Sequence, residues 1–146
     1  MTPPKNCPCH SGLRYAACCA PLHQGAPAPT PEALMRSRYA AFALGLGEYL
    51  VETLASSHPD RGVPRDGLVT ELSRAKDRQR FLGLRIVRAQ GDQVLFDARI
   101  FERGEDRSFA ELSTFVREEG RWLYANGRVL TREELAEVGA ELTPAS

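Results

Sequence analysis

Val94-Leu95-Phe96-Asp97-Ala98-Arg99-Ile100-Phe101 is the stretch on which the reading of the fold turns. Its period is two. Val94, Phe96, Ala98 and Ile100 make one wholly apolar face, and Leu95, Asp97, Arg99 and Phe101 make a mixed one. Such alternation marks a strand of an antiparallel sheet with one face on the core and the other towards water. The parity therefore sends Asp97 and Arg99 to solvent.

The same signal spreads to both sides. Leu84-Arg85-Ile86-Val87-Arg88 reads as the preceding strand, joined through a turn at Gly91-Asp92. Downstream come a turn at Gly104-Glu105-Asp106, a strand from Ser108 to Arg117, a turn at Glu119-Gly120 and a strand from Arg121 to Ala125. These four strands read as an antiparallel meander. In the third, Phe109, Glu111, Ser113, Phe115 and Arg117 oppose Leu112, Thr114 and Val116, and both faces carry apolar residues, so the parity stays open. Trp122 and Tyr124 share one face of the last strand, where core packing is the default. Thr131-x-x-Glu134 is a capping box and predicts a closing helix of about eight residues.

Upstream the period is helical. Thr30-Pro31-Glu32 combines an N-cap, a proline at the first helical position and an acid in the first turn. Met35, Tyr39, Phe42 and Leu46 then recur at helical spacing, with Gly45 and Gly47 at the end. A second helix is predicted over 48–55, with Tyr49, Leu50, Thr53 and Leu54 inward. A third is predicted over 65–77, with Leu68, Val69, Leu72 and Ala75 as its stripe. Between them, 56–64 has loop composition. Helices followed by an antiparallel sheet define an α+β domain.

All four cysteines lie ahead of this domain, in Cys7-Pro8-Cys9-His10-Ser11-Gly12-Leu13-Arg14-Tyr15-Ala16-Ala17-Cys18-Cys19. The spacing is C-x-C-x8-C-C. Pro8 stiffens the first pair, and Ser11-Gly12 supplies the bend that returns the second. Zinc prefers four tetrahedral ligands and binds thiolates strongly, so Cys7, Cys9, Cys18 and Cys19 are the expected ligands. His10 and His23 are near enough in sequence to compete. Two disulfides, a reactive thiol and four unrelated buried cysteines are the rival readings. Four protein ligands close the site to substrate, which makes the zinc structural. So short a segment has no hydrophobic core of its own and folds on its metal.

The chain has 146 residues, 19 basic and 19 acidic side chains and a formal net charge of zero. The length suits one domain with a small appendage. The balance argues against a generic nucleic-acid binder. The first residues, Met1-Thr2-Pro3-Pro4-Lys5-Asn6, lack the apolar run of a signal peptide, and Tyr39 to Gly47 is too short to span a bilayer. A cytoplasmic protein without membrane insertion is expected, and in that reducing compartment clustered thiols favour metal over disulfides.

The knuckle resembles the SEC-C motif, known from the C-terminal tail of the preprotein-translocase ATPase, where it contacts partner proteins. Together with Pro21 and Leu34-Met35-Arg36-Ser37-Arg38-Tyr39-Ala40-Ala41-Phe42, it looks like the YchJ-like family of uncharacterised bacterial proteins. The likeness covers residues 7 to 54 well, and runs on to about 130 by pattern. It implies a nuclear transport factor 2-like (cystatin-like) cone of helices on a curved antiparallel sheet, often with a pocket. Three departures stand out. His10 replaces the usual glycine, His58-Pro59 comes three residues later than in the family, and Leu142-Thr143-Pro144-Ala145-Ser146 does not repeat the motif. The organisation read from the chain is a knuckle at 1–22, a linker at 23–30 and the cone at 31–146.

No phosphate loop, catalytic serine triad or dinucleotide fingerprint is present, and no catalytic residue is assigned. The leading reading is a zinc-stabilised binding or adaptor protein. Lys5, His10, Leu13, Arg14 and Tyr15 would form its partner surface, and a ligand is a further candidate in the cone. The alternative is a small-molecule enzyme or carrier using the cone. Arg36, Arg38, Tyr39 and Tyr49 are the candidates for pocket or seam; for the two arginines a solvated helix face is the plainer reading.

Overall fold

In the computed structural model, which describes residues 4–142 and side chains as far as Glu137, Thr30 opens the central helix α2 (Pro31–Leu44). Its Oγ1 accepts the Ala33 N–H at 3.1 Å, and Gly45 closes the helix at φ 76°. Before it lies a single helical turn, α1 (Ala20–His23). After it come α3 (Gly47–Glu52), α4 (Arg65–Ser73) and α5 (Ala75–Arg78). The third predicted helix is thus two. At Arg74 one N–H reaches both the Thr70 and Glu71 carbonyls at 3.2 Å, the tightening typical of a last helical turn. The four residues of α5 then swing the chain into the sheet.

The strands are β1 (Gln79–Gln90), β2 (Gln93–Glu102), β3 (Glu105–Asp106), β4 (Phe109–Glu118) and β5 (Arg121–Leu130). The predicted meander holds, in the order β1-β2-β4-β5 and antiparallel throughout. The two-residue β3 is an addition, paired to the end of β2. Bulges in β1 near Leu82 and Val87, and in β5 at Ala125, bend the sheet. Glu119-Gly120 turns β4 into β5 with both residues at positive φ, as a tight hairpin turn requires.

The concave face closes on α2. Val94, Phe96, Ala98, Ile100 and Phe115 pack against Leu34, Met35 and Tyr39, as the alternation of β2 predicts. The opposite face differs from the expectation. Arg99 is exposed and Asp97 pairs with Arg85 at 3.6 Å, but Leu95 is fully buried with Ala110 and Leu130. Its cover includes Leu135 of the last helix, α6 (Arg132–Leu142). The capping box forms: the Thr131 N–H donates to Glu134 Oε1 at 3.0 Å, and the Glu134 N–H donates to Thr131 Oγ1 at 3.1 Å. It turns α6 back over the sheet, so both faces carry apolar packing.

Candidate metal centre and cone pocket

The knuckle is a miniature hairpin. The Cys7 N–H donates to the Leu13 carbonyl at 2.9 Å, and the Tyr15 N–H to the Lys5 carbonyl at 3.1 Å. His10 (φ 61°) and Gly12 (φ 87°) make the reversal. His10 therefore sits in a left-handed conformation that a glycine would take without strain, which accounts for the glycine usual at this point. Its Nε2 donates to the Phe81 carbonyl at 3.0 Å, a tie to β1 that glycine lacks. The short 3-10 turn Tyr15–Ala17 then delivers Cys18 and Cys19.

The four Sγ atoms all lie within 4.8 Å of one another. Cys9 and Cys18 are 3.6 Å apart, Cys18 and Cys19 3.9 Å. Cys7, Cys9 and Cys19 are buried, Cys18 is half-buried, and none is in a disulfide. This cluster can hold a metal ion. Hydrogen bonds from Cys19 and Cys7 hold the Cys9 thiol low. Its bonds to Cys7 and Cys9, with burial, push the Cys19 thiol far up. Four thiols this close cannot ionise together unless a cation replaces their protons. His10 and His23 stand outside the cluster, each with other bonds.

His23 belongs to the seam between knuckle and domain. Its Nε2 donates to the Ser37 carbonyl at 2.8 Å, so Nδ1 accepts from the Tyr15 hydroxyl at 2.6 Å. Tyr15, grouped from sequence with the knuckle surface, thus turns its hydroxyl inward. The buried Ser37 hydroxyl donates to Leu34 O at 2.7 Å and accepts from Tyr49 at 2.7 Å. Arg36 spans the same seam, donating to the Cys9 carbonyl at 3.3 Å and pairing with Glu32. Cys7, Cys9 and Cys19 pack directly on Ala40 of α2. Lys5, His10, Leu13 and Arg14 remain exposed.

Arg38 corrects the expectation of a solvated helix face. It is half-buried in the wall of a cavity of about 360 Å³ between α2 and the sheet. Desolvation lowers its guanidinium to about 10, still charged at neutral pH. Tyr39 lines the same cavity and donates its hydroxyl to the Gly83 carbonyl at 2.9 Å; burial raises it to about 12. Met35, Phe42, Phe81, Phe96, Phe109 and Phe115 form the apolar wall. Glu111, Ser113 and Tyr124 form a polar end that sequence reasoning did not assemble. Ser113 donates to Glu111 Oε2 at 2.5 Å and Tyr124 at 2.9 Å. The open parity of β4 is settled here: Phe109, Glu111, Ser113 and Phe115 face the cone. His58, the one histidine after the linker, stacks on Tyr124 at 5.6 Å and is not part of the lining.

Fold and site together define a class: a cysteine knuckle of SEC-C type seated on a nuclear transport factor 2-like cone. The SEC-C motif matches residues 5–21, and the YchJ middle NTF2-like domain matches residues 30–127. The chain belongs to the YchJ-like family. It is 49% identical over 124 residues to a UPF0225 protein of Deinococcus radiodurans, covering 84% of this chain and 88% of that one. A SEC-C motif containing protein from Rhodopseudomonas palustris, solved in solution, matches with a TM-score of 0.69 at 39% identity, over 86% of this chain and 99% of that one. A crystal structure of a SEC-C motif containing protein from Psychrobacter arcticus matches at 0.67 and 26% identity, over 86% and 82% of the two chains.

Proposed function

We propose that this protein is a zinc-stabilised binding protein of the cytoplasm that holds a small organic ligand in its cone, with the knuckle as a structural clip. One observation carries the ligand reading: the aromatic cavity of about 360 Å³ in which Arg38, Glu111, Ser113 and Tyr124 cluster, with Gln79 and Arg107 also on its lining. Sites for small molecules have this build and this size. Zinc is favoured by the donor set. Four Zn–S bonds of about 2.3 Å in a tetrahedron place the sulfurs about 3.8 Å apart, against the 3.6 and 3.9 Å of two of the pairs. With four thiolates around it the ion has no open position, so the binding chemistry falls to the cone. Among the described residues no helix is long and apolar enough to cross a membrane.

The test has two parts. Elemental analysis of purified protein should give one equivalent of zinc; none, or another metal, rejects the zinc reading. A protein-observed NMR screen of small aromatic fragments should perturb Tyr124, Phe96 and Phe115. If no fragment moves cone resonances, the cone is not a ligand site.

A second reading keeps the knuckle as a docking surface for a protein partner. Leu13 favours it, 54% exposed at the tip of the hairpin among exposed Lys5, His10 and Arg14. A partner that cross-links to the wild type but not to Leu13→Asp, with the metal content of the two proteins equal, would support it; equal recovery by the two proteins would reject it.

A further inference from the structure

The polar end of the cone holds two opposite charges that do not pair with each other. Arg38 Nη1 donates to the Leu50 carbonyl at 2.7 Å and to Thr53 Oγ1 at 2.5 Å. Both acceptors are neutral. Among the described residues no carboxylate comes within ion-pair distance of this guanidinium. Its Nε and Nη2 have no protein acceptor and keep surface open to the cavity they line. The guanidinium carbon lies 4.9 Å from the centre of the Tyr124 ring.

At the hydroxyl of that tyrosine stands Glu111. Its Oε2 is held by the Tyr124 and Ser113 hydroxyls. Its Oε1 has no protein donor and is likewise not sealed from the cavity. The carboxylate lies against Gly127 of β5, where any Cβ would collide with it and with the Tyr124 hydroxyl. The missing side chain at Gly127 leaves room for the carboxylate in this position.

A charge enclosed among aromatic rings is costly until it is paired. A purely apolar ligand leaves both groups with neutral partners only and no opposite charge. A simple acid suits Arg38 but meets Glu111, and a simple amine does the reverse. We infer that the ligand is a small zwitterion with an apolar or aromatic body, of the α-amino-acid type. Its carboxylate pairs with Arg38, its ammonium with Glu111 Oε1, and its body lies among Phe81, Phe96 and Phe109. This rests on the reading of the cone as a ligand site.

The test is isothermal titration of the full, metal-loaded chain with three probes that share a phenyl body: L-phenylalanine, 3-phenylpropionate and 2-phenylethylamine. L-Phenylalanine should bind at least about tenfold tighter than either half-charged analogue, the effect of one charged hydrogen bond. Glu111→Gln should remove that advantage over 3-phenylpropionate from both sides, weakening L-phenylalanine and strengthening 3-phenylpropionate, which no longer meets a carboxylate. Because the wild-type comparison stands alone, the outcome does not hang on the variant folding. If 3-phenylpropionate binds as tightly as L-phenylalanine, the zwitterion assignment is wrong. If none of the three binds while neutral aromatic fragments still perturb the cone, the charge assignment fails and the ligand-binding cone survives. If neither charged nor neutral probes bind, both fall.

Discussion

At the scale of single residues, the most constrained group outside the cysteines is His23. Its tautomer is fixed because the Ser37 carbonyl takes the Nε2 proton, which leaves Nδ1 to accept from Tyr15. A second proton would break the Tyr15 bond and place a charge in a half-buried seam. Burial, opposed by the Ser37 carbonyl, accordingly lowers its pKa below the ordinary 6.5. The sign follows from linkage. The folded state binds the proton less readily than the unfolded chain, so the stabilisation is fully present above about pH 6.5 and is lost as pH falls towards the folded pKa. Replacing His23 with Ala should cost about 1–3 kcal/mol at pH 7.5, since two buried partners lose their bonds. The gap between wild type and variant in urea melts should narrow towards pH 5.5. A gap that widens on acidification would contradict this, as would an NMR titration placing His23 above 6.5. The four cysteines could be found from sequence because their spacing is local. Arg38, Glu111 and Tyr124 could not, because three separate elements bring them together. The one available hint was the period-two set Phe109, Glu111, Ser113 and Phe115, and its parity was undecidable while both faces of β4 carried apolar side chains.

At the scale of elements, what could be read depended on how sharply two faces differed. β2 has one wholly apolar face, so its core side was legible, and Val94, Phe96, Ala98 and Ile100 do meet α2. Its other face mixes Leu95 with Asp97 and Arg99, and the charges masked a second apolar contact. Leu95 lies under the cover provided by α6, and the capping box announced that helix without saying where it would dock. Leu95→Ala should therefore destabilise the fold by about 2–5 kcal/mol, as for any fully enclosed leucine. Leu82→Ala, in exposed β1, should stay within about 0.5 kcal/mol. Thermal or urea unfolding separates the two; equal effects would mean that α6 does not cover the sheet in solution. The helix pair α3–α4 shows a different limit. Gly47 read as helix punctuation, yet it is buried where a Cβ would run into the Val69 carbonyl and Ser73 Oγ. Its N–H also donates to Ser73 Oγ at 3.1 Å. Gly47→Ala should cost about 1–3 kcal/mol through forced separation of the helices. A neutral result in the same melts would show that α4 can retreat without loss.

At the scale of the whole molecule, the question is whether knuckle and cone stand or fall together. The cone has its own core, built from α2 and the sheet, and that core contains no cysteine. Among the described residues the knuckle's interior is little more than its sulfurs, with Tyr15 packed against them. Cys7, Cys9 and Cys19 serve as the plug it presents to Ala40 and Leu84. Among the described residues its further ties include hydrogen bonds from Arg36 to Cys9 O, from His10 to Phe81 O and from His23 to Ser37 O, and edge-on ring contacts of His10 with Tyr39 and His23 with Tyr49. The metal ligands and the packing surface are thus the same atoms. Removing the metal leaves thiols whose mutual crowding opposes ionisation, and loosens the plug at the same moment. Chelation should then melt the knuckle locally rather than unfold the protein. In hydrogen exchange after treatment with a strong chelator, the amides of Cys7, Tyr15 and Cys18 should lose protection, while those of β2 and β4 keep theirs. The thermal midpoint should also drop, because Ala40 and Leu84 lose their cover. Cys19→Ser should reproduce the exchange pattern without chelator, since Cys19 is both a ligand and a buried contact. If β2 and β4 exchange as fast as the knuckle once the metal is gone, the cysteine cluster is part of the folding core of the cone, and its role as an appended clip is refuted.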